Sequence, residues 1–558
     1  MTIKFPLGID SFEKLRKAGC YYVDKTDFIS TLLRDEFEVN LVTRPRRFGK
    51  SLMMSMLEAF FDIARDSRDI FAGLKISEAD RLCGEWMNQW PVIFLTLKSV
   101  EGRTFELAYE RLEILISDLC LKYSFLREST KVDSADIDMF NRLISKTASR
   151  AEVGNALYLL MRMMHAQYGK QVILLLDEYD VPLAKAGEAD YYVEMMDVIR
   201  GMLGKALKTN EFIKFAVITG CLKIAKESIF TGTNNFVSDT ISSDRFDEYF
   251  GFTEADVRKL LEDSGFCDHA EEVRVWYDGY RFGSTEVYCP WDVLNHVASL
   301  QINPNKKPQN YWGATSHNGV IYRFISREDL DVNAKFETLM AGGYLIERIT
   351  ENLTYDTIKS TEENLWSLLY LTGYLTQTDM PEDFTGDRNE YMALRIPNEE
   401  VKSIFKTAIV EWFQDAVKAA DRKELFEALW NGDAERAEQL LSEILFETIS
   451  YYDYQESYYH AFAAGVFSGA GYVVESNYER GNGRPDIVVK DKAKRRIMVI
   501  EVKHAKKEKD LEKERDKAVD QIFDRKYMQG LEKGYRSVIG YGAAFFEKEC
   551  LMKRAENR

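Results

Sequence analysis

The sequence predicts a multidomain α/β protein: a parallel-sheet domain, then a mostly helical middle region, then a smaller C-terminal α/β domain. Three observations lead there. The first 250 residues alternate apolar strands with amphipathic helical patterns, the signature of a parallel sheet covered by helices. A strand ending at Thr43 runs into a glycine-lysine-serine turn and then a helix. Near the C-terminus, Arg484-Pro485-Asp486-Ile487-Val488-Val489, a charged turn and Ile497-Met498-Val499-Ile500-Glu501-Val502-Lys503 read as a β-hairpin.

At 558 residues the chain exceeds one ordinary core. Composition, 46% hydrophobic and 30% charged, is that of a globular protein. The longest apolar runs fall far short of a membrane span, so no membrane role is expected. Seven cysteines stand singly, with no CxxC and no Cys/His cluster, so the cysteines support neither a zinc site nor a disulfide framework, and a reducing cytoplasm is the simplest expectation. A net charge of −17 excludes a chain coated with nucleic acid on every face but not a local basic groove. Residues 490–509 are rich in Lys and Arg; they read either as such a groove or as a solvated surface, since Glu508, Asp510, Glu512 and Glu514 interleave with or follow them.

The expected strands of the first domain (1–250) are Val39–Thr43, Val92–Leu97, Val172–Leu176 and Ile213–Thr219. After the first comes Arg44-Pro45-Arg46-Arg47-Phe48-Gly49-Lys50-Ser51-Leu52. A P-loop (Walker A) is Gly-x-x-x-x-Gly-Lys-Ser/Thr between a strand and a helix. Here Gly49, Lys50 and Ser51 are in place, and Arg44 stands where the first glycine belongs. Backbone N–H groups at the helix start would cradle phosphates, Lys50 would reach the β/γ oxygens and Ser51 would ligate Mg²⁺. Arg46, Arg47, Phe48 and Leu52 complete the expected binding segment.

Val172-Ile173-Leu174-Leu175-Leu176 is apolar throughout, as a strand buried on both faces must be. Asp177 and Glu178 follow at its C-terminal end, where parallel sheets bind ligands. Asp177 is expected to hold Mg²⁺ through water, and Glu178 to orient or deprotonate the hydrolytic water; the plain alternative is a helix cap. Thr219, ending the next strand, is a candidate phosphate sensor, with Asn234-Asn235 as a second; both also fit ordinary turn chemistry.

Residues 251–405 read as helical, with aromatic turns such as Trp276-Tyr277-Asp278-Gly279-Tyr280. Residues 406–435 read as a helical linker with a break at Gly432-Asp433, and 436–558 as the last domain. In its hairpin, Glu501 and Lys503 are two apart and share a face, while Val502 points into a core. Asp486 opens the partner strand and would meet Glu501 across it. Two carboxylates and an ammonium on a rigid sheet suit a Mg²⁺-dependent phosphodiesterase, with Mn²⁺ as an alternative ion. This pattern resembles the PD-(D/E)xK nuclease superfamily. The resemblance implies a further acid from a preceding helix, Glu456, which shares a helix face with His460; Glu479 is a second acid near the hairpin. Gly481 and Gly483 shape the turn into Asp486, and Arg484 would pair with a phosphate or a neighbouring acid. A helix over 513–528 carries Gln521 and Tyr527 in a segment similar to the family's Gln-Ile-x-x-x-x-Tyr. The resemblance implies that Gln521 faces the metal site or the substrate backbone, with a surface glutamine as the plain alternative, and Val538–Tyr541 is the last expected strand.

Tyr22-Val23-Asp24-Lys25-Thr26, the loop from Thr43 to Leu52, Leu176-Asp177-Glu178-Tyr179-Asp180, Thr219-Gly220, Ser228-Ile229-Phe230 with Asn234-Asn235, Phe250-Gly251-Phe252-Thr253 and Trp276–Tyr280 occur in this order. Together they resemble the bacterial AAA-ATPase-like family, in which the Arg-Pro-Arg-Arg-Phe loop is the rule and a C-terminal PD-(D/E)xK domain is common. The resemblance implies a P-loop AAA-like ATPase domain, a lid or winged-helix-like middle and a restriction-endonuclease-like C-terminal domain. It implies ATP and Mg²⁺ as cofactors and nucleic acid as partner, DNA ahead of RNA, with a homo-oligomer left open. Arg200 and Arg245 are candidates for an arginine given to a neighbour. The expected function is an ATPase controlling a nuclease; the alternative is an ATP-driven switch or scaffold that binds without cleaving.

Overall fold

The computed structural model describes residues 3–223, 236–313, 333–353, 361–388, 390–408, 423–448, 473–476 and 485–556. The chain forms two compact units, Met1–Ser316 with Tyr344–Lys402, and His317–Gly343 with Ser403–Arg558.

The first unit is organised by a five-stranded sheet of β1 (Val39–Thr43), β2 (Val92–Thr96), β3 (Val172–Asp177), β4 (Ile213–Gly220) and β5 (Phe236–Asp239). The order is β2-β3-β4-β1-β5 and every pairing is parallel. The four expected strands are all present, within a residue of their expected ends. Because β4 lies between β1 and β3, the ends of the loop strand and the acid strand flank Thr219. Leu174 and Leu176 point into a large core shared with the helices Phe105–Lys122, Ala156–Tyr168 and Tyr192–Leu207. The helix Lys50–Phe61 covers the opposite face, where Phe61 meets the Phe215 ring edge-on at 5.5 Å. Burial on both faces explains why β3 carries no polar residue before Asp177.

Helices then dominate, as expected: Glu254–Ser264, Ala270–Tyr277, Pro290–Ile302 and Glu362–Leu371. Two small sheets were not foreseen, the hairpin β6 (Tyr280–Phe282) with β7 (Thr285–Val287), and an antiparallel sheet of β8 (Leu345–Arg348), β9 (Thr376–Thr378) and β10 (Tyr391–Arg395) in the order β8-β10-β9. Strands of three to five residues are too short for an alternating pattern to register.

The second unit has its own mixed sheet of β11 (Val473–Ser476), β12 (Ile487–Asp491), β13 (Arg496–His504), β14 (Ser537–Phe546) and β15 (Glu549–Arg554), in sequence order. Only β13 and β14 run parallel, linked through the helix Leu511–Asp524. β14 was therefore not the last strand: β15 pairs back onto it. Met498, Ile500 and Val502 face a core closed by the helices Lys423–Asn431 and Ala434–Thr448. The stretch expected as a linker thus supplies a core helix, and Gly432, at φ +82°, makes the expected break. Val488, Ile497 and Val499 face the other way, toward Ile522 and Tyr527. Among the described residues no helix is long and apolar enough to cross a membrane.

Candidate functional site

In the first unit, β1 delivers the chain into the loop 44–49, and Gly49 takes a left-handed conformation (φ +84°) to start the helix Lys50–Phe61. Arg47 is also left-handed (φ +75°), which costs a residue with a Cβ and marks a backbone held by its surroundings. Arg44 is one of those surroundings. It is fully buried, and Nη1 donates to the carbonyls of Thr43 (2.9 Å), Asp239 (3.0 Å) and Thr240 (2.7 Å). Its guanidinium lies over the rings of Phe250 and Phe282 at 5.4 and 5.3 Å. Burial lowers its pKa to about 10, leaving it charged at neutral pH. In place of the first P-loop glycine the chain has a cationic bolt tying the loop to the end of β5. Arg44→Ala is expected to destabilise the first unit by about 3 kcal/mol or more, read as a drop in the urea midpoint, because it strips packing and orphans buried carbonyls. A loss below about 1 kcal/mol would refute this role.

Lys50 is buried, and Nζ donates to the carbonyls of Arg44 and Pro45, both at 2.9 Å, so the ammonium lies folded within the loop. Ser51 Oγ donates to Asp177 Oδ2 at 2.7 Å, and Thr219 Oγ1 donates to Asp177 Oδ1 at 2.5 Å. The loop, the acid strand and the strand between them therefore converge on the Asp177 carboxylate, which is 2% exposed. Thr219, the candidate phosphate sensor, gives its hydroxyl to Asp177 in this structure. Glu178 is half-buried and left-handed at φ +51°, and burial raises its pKa, with Asp177 and Asp180 adding to the effect. Such strain next to an ionisable group is a mark of a functional turn.

The other loop residues part company. The Phe48 side chain is buried against Tyr280 and Phe282, with centroids at 5.0 and 4.9 Å, which leaves its backbone as the part that can face a nucleotide. Arg47 stacks on Trp291 at 4.3 Å, and Arg46 is exposed. Leu52 and Gly49 line an apolar pocket with Tyr22, Val23, Met53 and Phe252. Arg245 is not free for a neighbour: it pairs with Asp35 and Asp239, each at 2.8 Å. Arg200 lies near Asp197 at 3.3 Å on an exposed helix face. Asn234 and Asn235 lie outside the described residues.

Sequence reasoning gave Asp180 no role. It is buried, and Oδ2 accepts from the N–H groups of Cys221 and Leu222 at 2.9 and 3.0 Å, locking the acid turn to the end of β4. Gly220 permits this closeness: a Cβ there would stand 2.7 Å from both Asp180 and Tyr179. The signal was a third acid within four residues, Asp177, Glu178 and Asp180.

In the second unit the hairpin register pairs Ile487 with Ile500, which sets Asp486 opposite Glu501. Asp486 Oδ2 accepts the Val502 N–H at 2.8 Å, and the Asp486 N–H reaches Glu501 Oε2 at 3.4 Å. Glu501 is 1% exposed, with Lys503 Nζ at 3.3 Å and the Gln521 amide hydrogen-bonded to the same Oε1. Gln521 also reaches the Tyr527 hydroxyl at 3.5 Å. The helix carrying Gln521 lies hard against β14 at Gly542, where a Cβ would stand 2.6 Å from Val519. Burial and the Asp486 charge raise the Glu501 pKa to about 7 against the pull of Lys503. A buried acid beside a second acid calls for a cation, so these donors fit a hard divalent ion. The oxygens of Ser51 and Asp177 fit Mg²⁺ beside a polyphosphate in the same way. Glu456, His460, Glu479, Gly481, Gly483 and Arg484 lie outside the described residues.

A five-stranded parallel sheet with a phosphate-type loop after β1 and acids after β3 defines a P-loop NTPase-like unit, and the Asp486-Glu501-Lys503 sheet a nuclease-like one. A family model described as "Predicted AAA-ATPase" matches residues 6–230, and one for the PD-(D/E)XK nuclease superfamily matches residues 454–555. The chain carries an AAA-ATPase-like N-terminal domain and a C-terminal domain of the PD-(D/E)XK nuclease superfamily. It is 26% identical over 506 residues to an uncharacterized protein in the vnfD 5′ region of Azotobacter chroococcum mcd 1, covering 87% of each chain. That likeness extends beyond either domain alone.

Proposed function

We propose that this protein binds and hydrolyses ATP with Mg²⁺ in its first unit, and that the ATP state controls phosphodiester cleavage of nucleic acid, DNA ahead of RNA, in its second. The observation that carries the nuclease reading is the convergence of Asp486, Glu501, Lys503 and Gln521 on one face of the sheet. Asp486 and Glu501 would hold a divalent ion, Mg²⁺ or Mn²⁺, which supplies Lewis acidity at the scissile phosphate and an activated water. Lys503 would neutralise charge building on the phosphate oxygens. Gln521 fixes the rotamer of Glu501, and the Val502 N–H fixes Asp486.

For the nucleotide, Lys50 would exchange its two carbonyl partners for β/γ oxygens, and Ser51 and Asp177 would hold the Mg²⁺. Thr219 keeps Asp177 oriented, and Glu178 would take or orient the attacking water. The apolar pocket beside Gly49 suits a purine ring. A reducing cytoplasm is the proposed setting.

The test incubates the intact protein with single- and double-stranded DNA and RNA in Mg²⁺ or Mn²⁺, with and without ATP. Metal-dependent cleavage that ATP changes several-fold, and that is lost in Asp486→Ala, is expected. No cleavage of any substrate, with wild type and Asp486→Ala alike, would leave a switch or scaffold that binds without cutting.

A further inference from the structure

We propose that the first unit holds a transition-metal site that the ATP and nuclease chemistry does not use, built from His269, Glu272 and His296 and selective for zinc-class divalent ions. Among the described residues these are the one group of three His, Cys, Asp or Glu side chains whose donor atoms all lie within 4.8 Å of one another. His269 and Glu272 flank the start of the helix Ala270–Tyr277, three apart, and His296 comes from the middle of the helix Pro290–Ile302.

The chemistry of each donor favours this reading. His296 is fully buried, and neither Nδ1 nor Nε2 has a hydrogen-bond partner. An imidazole in that state forgoes the bonds that usually justify burying it, and a metal ion would repair the deficit. The Tyr277 ring packs against it at 5.5 Å, tilted by 50°, and so limits its rotation. His269 Nδ1 and Glu272 Oε2 stand 3.1 Å apart at the mouth, with side-chain exposures of 23% and 26%. Tetrahedral zinc, with ligand bonds of about 2.0–2.2 Å, sets its donors about 3.3–3.5 Å apart. The His269–Glu272 spacing already suits this, and closing the triad needs movements of about an ångström. Lys307 Nζ, on an 87% exposed side chain, lies 3.3 Å from Glu272 Oε1 and can swing into solvent.

Two imidazoles and one carboxylate suit zinc and its neighbours in the first transition row; Mg²⁺ prefers an all-oxygen set. Three protein donors leave a fourth position for water. The ion would staple the helix 270–277 to the helix 290–302, whose Trp291 supports Arg47 of the phosphate loop.

The test uses the full chain carrying Asp486→Ala and Glu501→Gln, so that the C-terminal carboxylates do not compete, stripped with a chelator and titrated with Co²⁺ and then Zn²⁺. One Co²⁺ per chain is expected, with the intense visible bands of a four-coordinate nitrogen/oxygen site, displaced by one Zn²⁺ and unmoved by millimolar Mg²⁺. Because His296→Ala opens a buried cavity, the diagnostic variants are His269→Ala and Glu272→Gln at the partly exposed mouth. Each should weaken Co²⁺ binding at least tenfold and abolish the zinc-induced rise in Tm. If the background variant does not fold, the same titration is run on the wild-type chain in excess Mg²⁺, which occupies the C-terminal carboxylates. Absence of the bands, or bands that survive both variants, or bands lost instead in Asp177→Asn, would overturn the assignment.

Discussion

Glu501→Gln is expected to cut metal-dependent cleavage by about a thousandfold or more and yet to stabilise the ion-free protein at alkaline pH. The amide keeps the shape and can still accept from Gln521 and Lys503, but it withdraws the negative charge that a divalent ion needs. A loss of about 4 kcal/mol of transition-state stabilisation corresponds to that factor. In the folded chain the Glu501 pKa is raised to about 7 from 4.5, first by burial and then by Asp486. Raised in the folded state, the group contributes stability that is fully present below pH 4.5 and is lost as pH climbs through about 7. The ceiling on that loss is about 3 kcal/mol. Glutamine does not ionise, so the variant should match the wild type near pH 4 and exceed it above pH 7. Mg²⁺ should reverse the order by stabilising only the wild type, since the ion requires the ionised carboxylate. Urea denaturation at acid and alkaline pH, with and without Mg²⁺, reads all of this. Equal stabilisation of both proteins by Mg²⁺, or cleavage within tenfold of wild type, would show that Glu501 holds no ion.

The contrast between these carboxylates and Arg44 shows what a sequence can and cannot disclose. Glu501 is readable because the hairpin is local: alternation puts Ile500 and Val502 in one core and leaves Glu501 and Lys503 together on the other face. The strand β3 is readable because five consecutive apolar residues have few other uses. Gln521 was singled out by its segment, and its bond to Glu501 depends on how closely the helix approaches Gly542, which no periodicity encodes. Arg44 stood out only as a departure from the bare P-loop motif, regular in the family the loop resembles, with no structural role legible. Its partners Asp239 and Thr240 lie 195 and 196 residues further along, and a long-range hydrogen bond to a backbone carbonyl leaves no trace in side-chain patterns. The packing of the Phe48 ring was hidden for the same reason: its contacts come from a short hairpin 232 to 234 residues away in sequence. Thr219 was placed at the right strand end, but the direction of its hydroxyl is decided by Asp177 on the neighbouring strand.

Lys50→Ala is expected to weaken ATP binding at least a hundredfold, and its effect on the second unit decides whether the two sites form one machine. The ammonium is buried on two loop carbonyls, so its removal takes away the positive charge positioned to reach the β/γ oxygens of a triphosphate, whereas Arg44 stays tied to the end of β5. Glu178→Gln is the necessary companion: it should bind ATP as wild type does and hydrolyse it about a hundredfold more slowly, because only the water-directing group is altered. If ATP occupancy sets nuclease output, Lys50→Ala should behave like wild type without ATP, and Glu178→Gln like wild type held with ATP. If turnover sets it, both variants should fail alike. Coupling between binding sites is also reciprocal. In the Glu501→Gln chain, which should bind nucleic acid without cutting it, the factor by which saturating ATP changes the Kd for DNA must equal the factor by which saturating DNA changes the Kd for ATP. Fluorescence anisotropy on labelled DNA and on labelled nucleotide measures the two independently. A common factor between about 5 and 150 is the expected range for a protein switch. A factor of one in both directions, with cleavage by the wild type indifferent to Lys50→Ala, would mean that the two units share a chain without sharing a mechanism.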